Sequence, residues 1–75
     1  MNKLRITTAG SIQFEHAKDK WTGPYSNEML LIQELSDGQT RTLQELQKTF
    51  KQFINPSVDQ IVKKFLSKGS IENVA

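Results

Sequence analysis

The chain contains no cysteine and a single histidine, His16, among its 75 residues. Without cysteine there is no disulfide framework, no thiolate metal site and no cysteine nucleophile. Glu15, His16 and Asp19 bring one imidazole and two carboxylates together, which falls short of a recognisable metal-binding pattern. We therefore expect neither a metal nor any other cofactor.

Long apolar runs are also missing. The longest, from Met29 to Ile32, has four residues, whereas a membrane-spanning helix needs roughly 20. The opening segment MNKLRITTAG lacks the apolar stretch of about 7–15 residues that marks a secretory signal. Together with the lack of cysteine, these absences predict a cytoplasmic protein with no membrane partner.

The small size of the chain limits what it can do. We expect one domain, 1–75, and a domain of this size buries only about 60% of the surface of its unfolded chain, which leaves little room for a deep substrate cavity. The four glycines fall at turns and predicted helix ends, not in a phosphate-binding loop. We expect a protein that is not an enzyme.

The N-terminal segment 3–16 predicts a β-hairpin. Apolar and polar residues alternate in both of its halves, with Ala9-Gly10 at the predicted turn, and a period of two is typical of half-buried strands. The apolar positions are Leu4, Ile6, Ile12 and Phe14. Because an isolated hairpin is only marginally stable in water, we expect it to pack on the rest of the chain.

Three helices and a short strand are predicted downstream. Their bounds are about 27–37, 42–54 and 57–68 for the helices and about 70–74 for the strand, which is expected beside the hairpin. Capping boxes open the second helix at Thr42 and the third at Ser57. The predicted core consists of Leu31, Leu35, Leu43, Leu46, Phe50, Ile61, Val62, Phe65 and Leu66, covered by Ile6, Ile12 and Phe14.

Two capped helices followed by a glycine and a short strand are the layout of a helix-turn-helix domain of the winged-helix type. The segment TLQELQKTF…NPSVDQIVKKFLSKGSI resembles the core of that family, and the resemblance extends from Asn27 to Ile71. With the hairpin added, the predicted fold is α+β, an N-terminal β-hairpin followed by a three-helix winged-helix-like bundle with a short C-terminal strand. The resemblance implies DNA binding, as in a small transcription or phage-type regulator.

A second resemblance concerns the small leader-peptide chaperones of the pyrroloquinoline-quinone-pathway type. A hairpin, a helix ending in Leu-x-Asp-Gly and a following Arg-Thr-Leu-x-Glu-Leu are similar to that family. The matching residues are Leu35, Asp37, Gly38, Arg41, Thr42, Leu43, Glu45 and Leu46. This resemblance implies a peptide- or protein-recognition module, and similar modules also occur as accessory domains of larger enzymes.

Positive charge is concentrated in the second and third predicted helices. Residues 47–71 carry five lysines against one acid, a net charge of +4, whereas residues 1–46 carry −1. In a helix-turn-helix these helices meet DNA, where lysines contact phosphates and Asn or Gln side chains read bases. The candidate DNA-binding residues are Lys48, Lys51, Asn55, Ser57, Gln60, Lys63 and Lys64. No arginine is among them, so we expect modest sequence specificity for one copy of the chain and a homodimer that makes up for it. The structural alternative is that these lysines only form a solvated helix face without a binding role.

The hairpin provides the other candidate site. Its outer edge would accept an extended peptide by strand addition, with an aromatic loop residue as an anchor. The candidate peptide-binding residues are Leu4, Arg5, Ile6 and Trp21. The structural alternative is that the hairpin only covers the helical core.

Overall fold

The computed structural model describes residues 3–74 and shows an α+β fold, which confirms the predicted class at this level. The elements follow in the order β1 (Lys3–Ile6), α1 (Thr8–Lys20), α2 (Asn27–Leu35), β2 (Arg41–Thr42), α3 (Leu43–Thr49), α4 (Val58–Lys68) and β3 (Ile71–Val74). Over residues 3–74 there are four helices, one more than predicted, and one antiparallel three-stranded sheet.

The predicted hairpin over 3–16 is wrong, because only its first arm is a strand. The chain enters α1 at Thr7, whose side-chain oxygen accepts a hydrogen bond from the Gly10 backbone N–H at 2.9 Å and caps the helix. Gly10 and Phe14 are buried, whereas Ile12 is 54% exposed. The inward side of this segment therefore repeats every four residues, which is a helical spacing.

β1 is the central strand of the sheet, which has the order β2-β1-β3. Its register with β3 places Arg5 opposite Glu72 and Ile6 opposite Ile71. Leu4 and Ile6 are buried, while Arg5 and Glu72 form a 2.9 Å ion pair on the exposed face. The predicted strand at 70–74, beside the first strand, is thereby confirmed.

The start of α1 lies directly against the turn between α4 and β3. The Ser70 carbonyl accepts a hydrogen bond from the Thr7 backbone N–H at 3.0 Å, and the Gly69 carbonyl accepts one from the Thr7 hydroxyl at 2.6 Å. The Ser70 hydroxyl donates to Gln13 Oε1 at 2.6 Å. Gly10 is the point of closest approach: a Cβ there would lie 2.8 Å from the Ser70 carbonyl carbon and 3.0 Å from Ile6 Cγ1. A residue without a side chain is what allows α1 to lie this close to the turn.

Capping signals locate the later helices. Thr42 and Glu45 form the predicted capping box of α3, and Ser57 and Gln60 form that of α4. α4 ends at Gly69, whose φ of 76° is the left-handed conformation common after a helix end. Local sequence chemistry therefore determines where both helices begin and where α4 stops.

α3 is shorter than the helix predicted over 42–54. The chain leaves the helix at Phe50, and the Phe53 backbone N–H donates to the Phe50 carbonyl at 2.9 Å. Both phenyl rings are buried and stack with their centroids 4.7 Å apart. Residues 50–57 consequently form a loop that places both rings in the core and connects α3 to α4.

The core lies between the helices and the buried face of the sheet. The predicted core residues that are buried are Ile6, Phe14, Leu31, Leu35, Leu46, Phe50, Ile61, Val62 and Phe65. Leu43 and Leu66 are partly buried at its margin, and Ile12 is excluded from it. The further buried apolar residues are Leu4, Met29, Ile32, Phe53, Val58 and Ile71.

Candidate nucleic-acid interface

The candidate DNA-binding residues lie on α3, on α4 and on the loop 50–57 between them. Gln47 Nε2 on α3 donates to Asp59 Oδ1 on α4 at 2.6 Å, which ties the two helices together at this surface. Gln47 and Asp59 also line a shallow depression together with Lys51 and Ser57. Lys63 lies one turn beyond Asp59 on the exposed side of α4. This contact brings the exposed sides of α3, the loop 50–57 and α4 next to each other, and we call the exposed residues of these three segments together the α3–α4 surface.

Three lysines of this surface have free charges. Lys48, Lys51 and Lys63 are exposed, and none of them pairs with an acidic side chain within residues 3–74. Lys64 differs, because its Nζ lies 2.8 Å from Glu28 Oε2 on α2. Of the four predicted phosphate-contacting lysines, the structure thus leaves three unpaired and neutralises one.

Gln60 has a structural role that competes with base recognition. Its Oε1 accepts a hydrogen bond from the Ser57 backbone N–H at 2.8 Å, and the Ser57 hydroxyl accepts one from the Gln60 backbone N–H at 3.3 Å. A glutamine that reads adenine needs its Oε1 as acceptor and its Nε2 as donor together. While the cap is formed, only Nε2 of the Gln60 amide is free for another hydrogen bond, so the predicted base contact of Gln60 would require opening the cap.

Ile54 is a feature of this surface that the sequence interpretation missed. Its side chain is 85% exposed in the loop 50–57, between the buried Phe53 and the exposed Asn55. In DNA complexes, exposed apolar side chains contact the thymine methyl group. The sequence signal was the position of Ile54 directly before Asn55-Pro56, where a helix is not expected to continue.

The charged residues around the start of α3 are engaged in local hydrogen bonds. The Arg41 guanidinium lies 2.9 Å from Asp37 Oδ2 and 3.2 Å from Glu34 Oε2, and its hydrogen bonds lower the pKa of Asp37 to about 2. The Thr42 backbone N–H, which donates to Glu45 Oε1 at 2.8 Å, lowers the pKa of Glu45. Arg41 therefore adds no free positive charge near the start of α3.

The peptide-binding edge predicted at Leu4, Arg5 and Ile6 lies on β1, which pairs with β3 over Lys3–Ile6 and with β2 at Lys3 and Leu4. Leu4 and Ile6 belong to the core, and Arg5 is paired with Glu72. Trp21, the fourth candidate, follows α1 and lines a cavity formed mainly by helical residues. Among the described residues, the unpaired sheet edges are those of β2 and β3.

No family model, curated protein or solved structure matches this chain. Over residues 3–74, none of the helices has the length and apolar content needed to cross a membrane, and no three metal-ligating side chains lie close enough to hold an ion.

Proposed function

We propose that this protein binds duplex DNA through the α3–α4 surface, as a non-enzymatic helix-turn-helix-like module of the kind found in small regulators. The observation that carries the proposal is the set of three exposed lysines without acidic partners within residues 3–74, Lys48, Lys51 and Lys63. They lie on α3, the connecting loop and α4, and unpaired lysines attract the phosphates of a nucleic-acid backbone. Within residues 47–71 the one acid, Asp59, is bonded to Gln47.

The number of free lysines sets the expected affinity and its salt dependence. Each phosphate contact contributes about 0.9 to the slope of log affinity against log salt, so three contacts give a slope of about −2.7. A tenfold rise in salt concentration should then weaken binding roughly 500-fold. Affinity of this type comes from contacts between lysines and phosphates, so it depends little on base sequence.

Sequence preference is expected to be weak for one copy of the chain. The exposed face of α4 offers Lys63 and, beside its N-terminus, Asn55, but no arginine for bidentate contact with guanine. Helix-turn-helix proteins commonly gain affinity and specificity by binding two half-sites as dimers. Homodimer formation on DNA is therefore part of the proposal.

Neighbouring lysines on α4 provide a matched test. Lys63 is unpaired, whereas the charge of Lys64 is balanced by Glu28 at 2.8 Å. Lys63→Gln should weaken binding to random-sequence duplex DNA and reduce the salt slope by about 0.9, while Lys64→Gln should change both much less. Fluorescence anisotropy with a labelled duplex measures both quantities, and circular dichroism checks that each variant is folded. Equal effects of the two substitutions would contradict the assignment of Lys63 as a phosphate contact, and no binding by the wild type at low salt would refute the proposed function.

A further inference from the structure

A cavity of about 180 Å³ lies away from the three free lysines of the α3–α4 surface, among α1, α2 and α4. Its apolar lining consists of Phe14, Ala17, Trp21, Met29, Ile32 and Phe65. An engineered apolar cavity of about 150 Å³ is large enough to bind benzene, so this volume suits a single six-membered ring. The volume is therefore matched by a small monocyclic compound.

The aromatic walls of the cavity are held in place. Phe14 and Phe65 are 6% and 7% exposed and belong to the core. The Trp21 Nε1–H donates to the Pro24 carbonyl at 3.0 Å, and its ring meets that of Tyr25 edge to face with centroids 5.9 Å apart. A preformed aromatic site loses little conformational entropy when a ligand ring enters it.

The charged lining residues of the cavity are Glu28 and Lys68. The Glu28 carboxylate is neutralised by Lys64 at 2.8 Å. Lys68 has no acidic partner within the described part of the chain, and its Nζ lies 5.9 Å from the centroid of the Phe65 ring. An ammonium group is thus left uncompensated beside an aromatic wall, where it complements a negative group on a ligand.

The other polar lining groups do not require a ligand partner. The buried Ser70 hydroxyl donates to Gln13 Oε1 at 2.6 Å, and over residues 3–74 every buried side-chain polar atom has a hydrogen-bond partner. The interior of the cavity therefore favours the apolar part of a ligand, and an anionic group of that ligand would lie next to Lys68.

From these observations we infer that the cavity binds a small monocyclic carboxylate, whose ring contacts Phe14, Trp21 and Phe65 and whose carboxylate pairs with Lys68. The lining of the cavity includes none of the three free lysines on which the proposed DNA interface depends. Its occupation can be measured without DNA, so the inference stands or fails independently of the proposed function.

Trp21 is the only tryptophan in the chain, which makes its fluorescence a direct reporter of the cavity. The probe is cyclohexanecarboxylate, because it does not absorb where tryptophan is excited. We expect a saturable change in Trp21 emission with a dissociation constant of about 1 mM or lower, as suits a ligand of this size. The neutral isostere cyclohexanecarboxamide should bind roughly tenfold more weakly, because it cannot form the charge-assisted hydrogen bond.

Two matched variants test the role of Lys68. Lys68→Met keeps an unbranched side chain and removes the charge, so it should abolish the preference for the acid over the amide. Lys20→Met removes an exposed lysine of α1 that does not line the cavity, and it should leave that preference unchanged. Equal binding of acid and amide by the wild type would overturn the assignment of a carboxylate ligand.

Filling the cavity tests the location. Ala17→Phe places a ring in the volume that the ligand would occupy, and it should abolish the response while amide NMR spectra show a folded chain. In the wild type, amide shifts on adding the probe should be largest at the lining residues, a result that stands even if the filled variant does not fold. No saturable response of the wild type up to about 10 mM, or shifts centred on another surface, would refute the inference.

Discussion

Gly10→Ala tests the contact between α1 and the turn that precedes β3. Alanine is normally the better helix residue, by at most about 1 kcal/mol, so helix propensity alone predicts a small gain in stability. The structure predicts a loss. A Cβ at this position would lie 2.8 Å from the Ser70 carbonyl carbon and closer still to its oxygen, whereas ordinary contacts begin at about 3.4 Å. Backbone atoms cannot rotate away as a flexible side chain would, so α1 has to move as a unit.

The expected cost follows from what that movement disrupts. Overpacking a tight contact costs about 1–3 kcal/mol. The two hydrogen bonds from Thr7 to this turn, 3.0 Å from its backbone N–H to the Ser70 carbonyl and 2.6 Å from its hydroxyl to the Gly69 carbonyl, are strained at the same time and contribute about 1 kcal/mol each. After subtracting the gain in propensity, the free energy of unfolding should fall by roughly 2–4 kcal/mol.

Thermal and urea unfolding followed by circular dichroism measure this loss. For a domain of this size, 1 kcal/mol corresponds to about 4–8 °C, so Tm should fall by roughly 8–32 °C. Ala9→Gly is the control, because Ala9 is exposed in the same turn of α1 and its loss should cost about 1 kcal/mol or less. A Gly10→Ala variant as stable as the wild type would refute the close approach of α1 to Ser70.

Three further predictions concern the core, the sheet and pH. Phe65→Ala should cost roughly 3–5 kcal/mol, measured by urea unfolding, because Phe65 is only 7% exposed in the core; an unchanged midpoint would show that α4 does not face the core in this way. Arg5→Pro should prevent cooperative folding, seen as loss of amide NMR dispersion, because proline is not tolerated in a central strand; a well-dispersed spectrum would place β1 at an edge. The pKa of Asp37 is lowered from 3.8 to about 2, first by its hydrogen bond with Arg41. A carboxyl whose pKa is lower in the folded than in the unfolded chain stabilises the fold at pH values above its unfolded-state pKa. That contribution is lost as the pH falls through the folded-state pKa. Asp37→Asn should therefore lose less stability than the wild type between about pH 4 and pH 2, and parallel Tm profiles would contradict the ion pair.

The well-predicted parts of the fold are those that local chemistry determines. The capping boxes at Thr42 and Ser57 fix where α3 and α4 start, and Gly69 fixes where α4 ends. The apolar residues of α4 follow the helical period closely, which predicts that Ile61, Val62, Phe65 and Leu66 face the core. The first three are buried and Leu66 is partly buried. These signals involve residues within one or two turns of each other, so they can be recognised without knowing the tertiary structure.

α1 could not be recognised by the same means. Its inward side consists of Gly10 and Phe14, with Ala17 half-buried beyond them, and Ile12 faces solvent. With so few apolar residues the helical period is weak. The apolar Ile12 and Phe14 alternate with the polar Gln13 and Glu15, which indicates a strand instead. The available signals were the Thr7 cap and the four-residue spacing from Gly10 to Phe14.

The sequence predicts the positive charge of the α3–α4 surface, but it does not predict which of its lysines form ion pairs. Lysine density in residues 47–71 indicated which helices carry positive charge. The ion pair of Lys64 with Glu28 joins residues 36 positions apart, and only the packing of α2 against α4 brings them together. The choice between the two roles of Gln60 likewise depended on geometry, since capping and base contact use the same side-chain oxygen.

The most direct test of DNA binding is the salt dependence of affinity for a random-sequence duplex of about 20 base pairs, measured by anisotropy at roughly 20 and 200 mM salt. Three proteins are compared: the wild type, Lys51→Gln/Lys63→Gln, and the charge-matched control Lys18→Gln/Lys20→Gln on α1. The wild type and the control should lose roughly 500-fold in affinity over this range, and the Lys51/Lys63 double variant only about 8-fold, because one free lysine of the surface remains. Equal salt slopes for the two double variants, or no binding by the wild type at the lower salt concentration, would contradict a DNA interface on α3 and α4.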